Sequence, residues 1–140
     1  MNQRTMGEIT RDHRPLAMAP EATVAVACAA MHQRRVGAVL VVDDAGRLLG
    51  IFTGRDAVRC LAEGCDAAHT PLRQVMTREP VTLSPHHHAI EALRLFKDGG
   101  FRHLPVCEGG KVCGIVSRYD FRAHEHARLD EETGYFERLR

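Results

Sequence analysis

The apolar residues of this chain alternate between two spacings. Val24, Ala27, Cys28 and Met31 recur at i, i+3, i+4 and i+7, the mark of one helix face. Ala38-Val39-Leu40-Val41-Val42 then runs unbroken, as a strand covered on both faces does. Asp43-Asp44-Ala45-Gly46 has turn composition. Residues 48–53 read as a second strand, and Ala57, Val58, Cys60 and Leu61 begin a helix that Gly64 can end. With a short extended piece at 16–18, the order is strand–helix–strand–strand–helix. The same order returns further on. Residues 81–83 are extended, and Ala89, Ala92, Leu93 and Phe96 form a helical face. Strands at 104–107 and 112–117 flank Glu108-Gly109-Gly110, and a charged helical segment starts at Phe121. Pro105 has no amide hydrogen to give a ladder, which predicts an edge or an irregularity there. Leu72, Val75 and Met76 predict a short helix in the connector.

The recurrence is a duplication. Gly50-Ile51-Phe52-Thr53-Gly54-Arg55-Asp56 reappears as Gly114-Ile115-Val116-Ser117-Arg118-Tyr119-Asp120. Pro15, Pro20, Ala27 and Val41 align with Pro80, Pro85, Ala92 and Val106 at a constant offset of 65. Past the turns at Asp44 and Gly109 the offset becomes 64, so one residue was gained or lost where such changes are best tolerated. The duplicated stretches cover 10–64 and 75–128. Repeated units of this kind often cannot bury their apolar face alone.

Bulk properties narrow the classes. A length of 140 residues fits about one domain, and 44% hydrophobic with 26% charged residues is ordinary for a soluble globular chain. Nineteen basic and eighteen acidic side chains, net +1, argue against a nucleic-acid surface. No apolar run approaches the ~20 residues that cross a bilayer, and the first ten residues hold no signal-like stretch. No membrane partner is expected, and the expected compartment is cytoplasmic. Cys28, Cys60, Cys65, Cys107 and Cys113 are odd in number and contain no Cys-x-x-Cys. They predict buried free thiols rather than a disulfide framework or zinc ribbon, although Cys107 and Cys113 flank one turn. His86-His87-His88 reads as a solvated helix start and His124-Glu125-His126 as a solvated helix face. Neighbouring helix positions diverge, so neither triplet is expected to hold a metal.

Taken together, several features resemble a tandem pair of CBS domains, the cystathionine-β-synthase-type repeat of Bateman modules. They are the β–α–β–β–α order, the segment Phe101-Arg102-His103-Leu104-Pro105-Val106, the Gly-Ile-x-Thr/Ser-x-x-Asp ending of both repeats, and a linker carrying Val75-Met76-Thr77. The likeness divides the chain into repeat 1 at 6–64, a linker at 65–74, repeat 2 at 75–128 and a helical tail at 129–140. Tyr135, Phe136 and Leu139 suggest that the tail docks on a neighbour. The resemblance implies an α/β (α+β) fold of two β-α-β-β-α repeats packed sheet to sheet with pseudo-twofold symmetry. It implies a regulatory, non-catalytic module with no catalytic cofactor. Such a module binds an adenosyl ligand (AMP, ADP, ATP, NAD(H) or S-adenosylmethionine) in clefts between the repeats. It also implies a homodimer, a disc of four repeats, that signals to a protein partner of unknown identity.

The repeated residues suit that chemistry. A carboxylate can accept hydrogen bonds from both hydroxyls of a ribose, and such charge-assisted bonds are about twice as strong as neutral ones. Asp56 and Asp120 are placed for this task. Thr53 and Ser117 lie where strand gives way to helix, and there free N–H groups favour a phosphate. Arg55 and Arg118 add charge nearby. Thr/Ser-x-x-Asp is equally a helix cap, and the two readings are compatible if the cap exchanges its partner for ligand. Carried over from the resemblance, one cleft uses Ile51, Thr53, Arg55 and Asp56 with Thr77, Val81, Phe101, Arg102 and His103. The other uses Ile115, Ser117, Tyr119 and Asp120 with Arg14, Leu16, Val36, Gly37 and Ala38. Val81 and Val36 would flank the adenine. Gly37 and Ala38 stand in repeat 1 where repeat 2 has Arg102 and His103, and Tyr119 replaces Arg55. The cleft of Asp56 is therefore expected to hold phosphates better. Two other classes stay open. One is an oligomerisation module with empty clefts. The other is a nucleotide-processing enzyme, against which stands the lack of a nucleophile–base pair, P-loop or metal-spacing motif.

Overall fold

A computed structural model describes residues 3–138, with side chains through 132. The docking expected of Tyr135, Phe136 and Leu139 falls on side chains outside the described residues. In chain order the elements are α1 (Met6–Thr10), β1 (Ala17–Met18), α2 (Val24–Arg34), β2 (Ala38–Val42), β3 (Leu48–Thr53) and α3 (Gly54–Ala62). They continue with α4 (Leu72–Val75), β4 (Thr77–Arg78), α5 (Ala89–Gly99), β5 (His103–Glu108), β6 (Lys111–Ser117), a 3-10 turn (Arg118–Asp120) and α6 (Ala123–Arg138).

These elements form two compact units, and neither is a contiguous repeat. One comprises Arg14–Val81 with Gly109–Val112; the other comprises the chain up to His13, Thr82–Glu108 and the chain from Cys113 on. In the first, four strands lie in the order β1-β2-β3-β4. β1 runs parallel to β2, and β3 runs antiparallel to both β2 and β4. Val39, Leu40 and Val41 of β2 are fully buried, as their unbroken apolar run predicts. Val24, Ala27 and Met31 of α2 pack with Phe52, Cys60 and Leu72 in this core. In the second unit, β5 and β6 form a two-stranded sheet, and Ala89, Ala92, Leu93 and Phe96 of α5 pack with Leu104, Val106 and Val116.

Pro105 explains an asymmetry between the repeats. In repeat 1 the Leu40 N–H donates to Leu16 O at 2.8 Å and so begins the parallel β1–β2 pair. The aligned residues of repeat 2 are Pro105 and Val81, and proline has no hydrogen to donate. The extended piece expected at 81–83 therefore shrinks to one parallel bridge, Leu83↔Val106. There Leu83 N–H donates to Pro105 O at 2.9 Å and Cys107 N–H to Leu83 O at 2.8 Å.

The short helices change sides. α4 precedes repeat 2 in the chain but packs with repeat 1, where Leu72 N–H donates to Ala22 O at 2.8 Å and Thr23 bridges Pro71. α1 precedes repeat 1 but packs with repeat 2, where Met6 N–H donates to His87 O at 2.8 Å and Thr5 bridges His88. Met6 and Leu72 are both fully buried. Each unit completes its core with a segment that the sequence places before the other repeat.

The segment from Phe121 is not one helix. The 3-10 turn ends at Phe121, whose extended backbone (φ −103°, ψ 146°) turns its ring onto Phe96, edge to face at 6.0 Å. α6 begins only at Ala123. Nor is His124-Glu125-His126 a solvated face, since Glu125 is buried. Its carboxylate meets the Arg4 guanidinium at 2.5 Å and accepts the Arg122 N–H at 2.7 Å. Burial alone would push the Glu125 carboxyl up, but the Arg4 and Arg122 hydrogen bonds outweigh it and hold it below the ordinary glutamate value. A depressed carboxyl contributes stability above its unfolded-state value and loses it as pH falls through its folded value. Glu125→Gln should therefore unfold at lower temperature than wild type at pH 7, and the gap should close on acidification below about pH 4. Calorimetry across that range checks this.

Candidate functional site

Each Gly-Ile/Val-rich strand delivers a hydroxyl and a carboxylate to one place. β3 is buried at Gly50, Ile51 and Phe52 and ends at Thr53, the N-cap of α3. Asp56 Oδ2 accepts from Thr53 N–H at 2.9 Å and from Thr53 Oγ1 at 3.1 Å, and Thr53 Oγ1 accepts from Asp56 N–H at 3.4 Å. This is the reciprocal capping box. Arg59, one turn further along α3, places Nη2 3.2 Å from Asp56 Oδ1 and donates to Val75 O at 2.8 Å. Asp56 is 5% exposed.

β6 repeats the arrangement with looser closure. Asp120 Oδ2 accepts from Ser117 N–H at 2.6 Å and from Ser117 Oγ at 3.4 Å, while Ser117 Oγ accepts from Tyr119 N–H at 3.3 Å. No arginine stands where Arg59 does. Instead His13 Nε2 lies 3.5 Å from Asp120 Oδ1, and His13 Nδ1 lies 2.9 Å from Ile115 O. A separation of 3.5 Å is beyond a good hydrogen bond, and the Asp120 side chain is 28% exposed. Arg4 Nη2 also donates to Asp120 O at 3.1 Å.

The glycine that opens each motif is required by close approach. A Cβ on Gly50 would stand 2.7 Å from both Met76 Sδ and Thr77 O, and a Cβ on Gly114 would stand 2.7 Å from Thr10 Cβ. Both neighbours belong to the short segments that changed sides.

The other expected residues fall as follows. Ala38 is paired with Thr53, Gly37 O accepts the Gly54 N–H at 3.1 Å, and Thr77 is paired with Ile51. Ile51 and Ala38 are buried, and Leu16 is partly so. Arg14, Val36, Gly37, Arg55, Thr77 and Val81 are exposed in the same unit as Asp56. Phe101, Arg102 and His103 lie in the unit of Asp120, with Ile115, Ser117 and an almost fully exposed Tyr119. His103 is pushed below the ordinary histidine value by burial first and by Arg102 second, and Asp120 opposes this. Its Nδ1 is buried without a hydrogen-bond partner among the described residues. Among those residues no group of three His, Cys, Asp or Glu side chains is placed to hold a metal ion.

Two residues of the site were not expected from the sequence. Arg59 carried a signal, its i,i+3 spacing from Asp56. His13 carried none, because 107 positions separate it from the carboxylate it faces.

Two repeats with this strand-end carboxylate define a class. The CBS domain profile matches residues 6–63 and 72–126, and the chain belongs to the CBS domain family. The CBS domain-containing protein CBSCBSPB2 of Arabidopsis thaliana is 42% identical over 115 residues, covering 81% of this chain and 21% of the plant protein. The chain thus spans about a fifth of that relative's length. A CBS-domain protein of Agrobacterium tumefaciens superposes with a TM-score of 0.72 at 31% identity, over 79% of this chain and 88% of the other. One from Pyrobaculum aerophilum, crystallised with AMP, superposes with a TM-score of 0.81 at 20% identity, over 91% and 98% of the two chains; that likeness is one of fold. No helix among the described residues is long and apolar enough to cross a membrane.

Proposed function

We propose that the chain is a regulatory, non-catalytic module that binds an adenosyl ligand through the ribose diol at Asp56 and Asp120 and passes that occupancy to a protein partner. One observation carries the reading: the same carboxylate recurs at the same strand end in both repeats, seated in a capping box each time. A capping carboxylate has lone pairs to spare for two hydroxyls. It is already oriented, so binding costs little ordering. Membership of a family in which the Pyrobaculum protein holds AMP supports an adenosyl ligand for this chain.

The two sites differ in readiness. At Asp56 a ribose competes with Arg59 for a buried oxygen; at Asp120 it displaces a histidine in slack contact with a half-open one. Arg102 and His103 share the unit of Asp120, so the phosphate-side charges belong there in this proposal, and Asp120 is the first site to fill. This reverses the order expected from sequence. Thermal unfolding with AMP, ADP, ATP, NAD, NADH and S-adenosylmethionine tests the reading. A ligand at about 100 times its dissociation constant should add roughly 2.7 kcal/mol of stability. No shift with any of them would leave the motifs as helix caps and favour a module that works through oligomerisation alone.

A further inference from the structure

Helix α3 ends in a cysteine pair. Gly64 takes a left-handed conformation, φ 76°. Cys65 N–H donates to Cys60 O at 2.9 Å, and Gly64 N–H donates to Leu61 O at 3.2 Å. This 6→1 and 5→2 pair is a Schellman motif, which turns the residue after the glycine back onto the helix three positions before its cap. Those two positions are usually apolar and touch; here both are thiols. The Cys65 sulfur lies close enough to Cys60 to push its thiol upward. Cys60 is 2% exposed in the core, and Cys65 is partly exposed against it. The motif folds Cys65 back over Cys60, the approach that a disulfide needs, whose Cα atoms stand roughly 4.4–6.8 Å apart.

We infer that Cys60 and Cys65 are a redox-active dithiol that closes to a disulfide under peroxide. The accessible Cys65 sulfur attacks hydrogen peroxide, breaks the O–O bond and becomes a sulfenic acid as hydroxide leaves. Cys60 then attacks that sulfur, forms the S–S bond and releases the second oxygen. The two thiol protons leave with the peroxide's two hydrogens and two oxygens as two waters; two sulfurs are oxidised and the peroxide is reduced. Burial, and then the neighbouring Cys65 sulfur, push the Cys60 thiol up to about 11. Cys65, the more accessible sulfur, is therefore the one that meets peroxide first. Cys28 is pushed up by burial and then by the nearby Cys65, but it sits on α2 and outside the capped turn.

Treatment of the folded chain with hydrogen peroxide, followed by alkylation, trypsin and mass spectrometry, tests this. Cleavage after Arg59 and Arg73 yields one peptide, 60–73, that holds both cysteines and no other. The expected result is loss of two hydrogens from that peptide with no alkyl group added. In Cys60→Ala the loss should disappear and Cys65 should be trapped by dimedone as the sulfenic acid. Three results would each overturn the inference: a doubly alkylated 60–73, oxygen retained on Cys65 in the wild type, or a crosslink to the Cys28 peptide.

Discussion

Gly50→Ala should cost about 3 kcal/mol of stability, whereas Gly54→Ala, four residues on, should cost nothing and gain up to about 1 kcal/mol. A methyl at Gly50 meets Met76 Sδ and the Thr77 carbonyl, both at 2.7 Å. Methionine can swing aside; the carbonyl belongs to β4, which is paired with β3 at that point. Relief therefore needs the strand pair to open, and overpacking of this kind typically costs 1–3 kcal/mol, occasionally more. Gly54 has open space around its Cβ position and lies in the first turn of α3. Alanine there removes the helix penalty of glycine, about 0.5–1 kcal/mol. Urea unfolding of both variants measures the contrast. Equal effects would mean that the linker does not lie against β3 as described.

The two carboxylates should be unequal in the absence of any ligand. Asp56→Ala is expected to lower stability by about 2–3 kcal/mol. The loss of a cap is typically worth about 1 kcal/mol, and a Thr53 N–H stranded beside a buried position adds about 1–2 kcal/mol. The Arg59 pair adds little, since its arginine side chain is 49% exposed. Asp120→Ala should cost about 1 kcal/mol, because its site is part open and water can replace the lost oxygen. Thermal unfolding of the two variants without nucleotide would reveal the order. A larger loss at Asp120 would contradict the assignment of Asp56 as the tighter cap.

What the sequence displayed depended on the range of each interaction. The helical faces of α2 and α5, the buried run of β2 and the capping boxes are local patterns, and they were legible from spacing alone. The offset of 65 also contains α1, since Met6–Thr10 aligns with the connector helix, but five residues without a strong apolar stripe carry little helical signal. Pro105 announced an irregularity without saying where the missing hydrogen would be missed; only the aligned Leu40 bond locates it. Glu125 reads as solvated in the sequence because its partner Arg4 lies 121 positions away, and a buried ion pair looks like a solvated charge until both ends are placed. His13 opposite Asp120 and the change of sides by α1 and α4 are likewise long-range. Periodicity carries no trace of them.

Calorimetric titration of the wild-type chain with AMP and with 2′-deoxy-AMP tests the central claim most directly, because the two ligands differ only in the hydroxyl that the carboxylates are proposed to hold. Hydrogen bonds to a charged group are worth about 1.5–3 kcal/mol, so AMP should bind at least about tenfold more tightly. Asp120→Ala should remove most of that difference. Equal affinities for the two nucleotides in the wild type would contradict ribose recognition by Asp56 and Asp120.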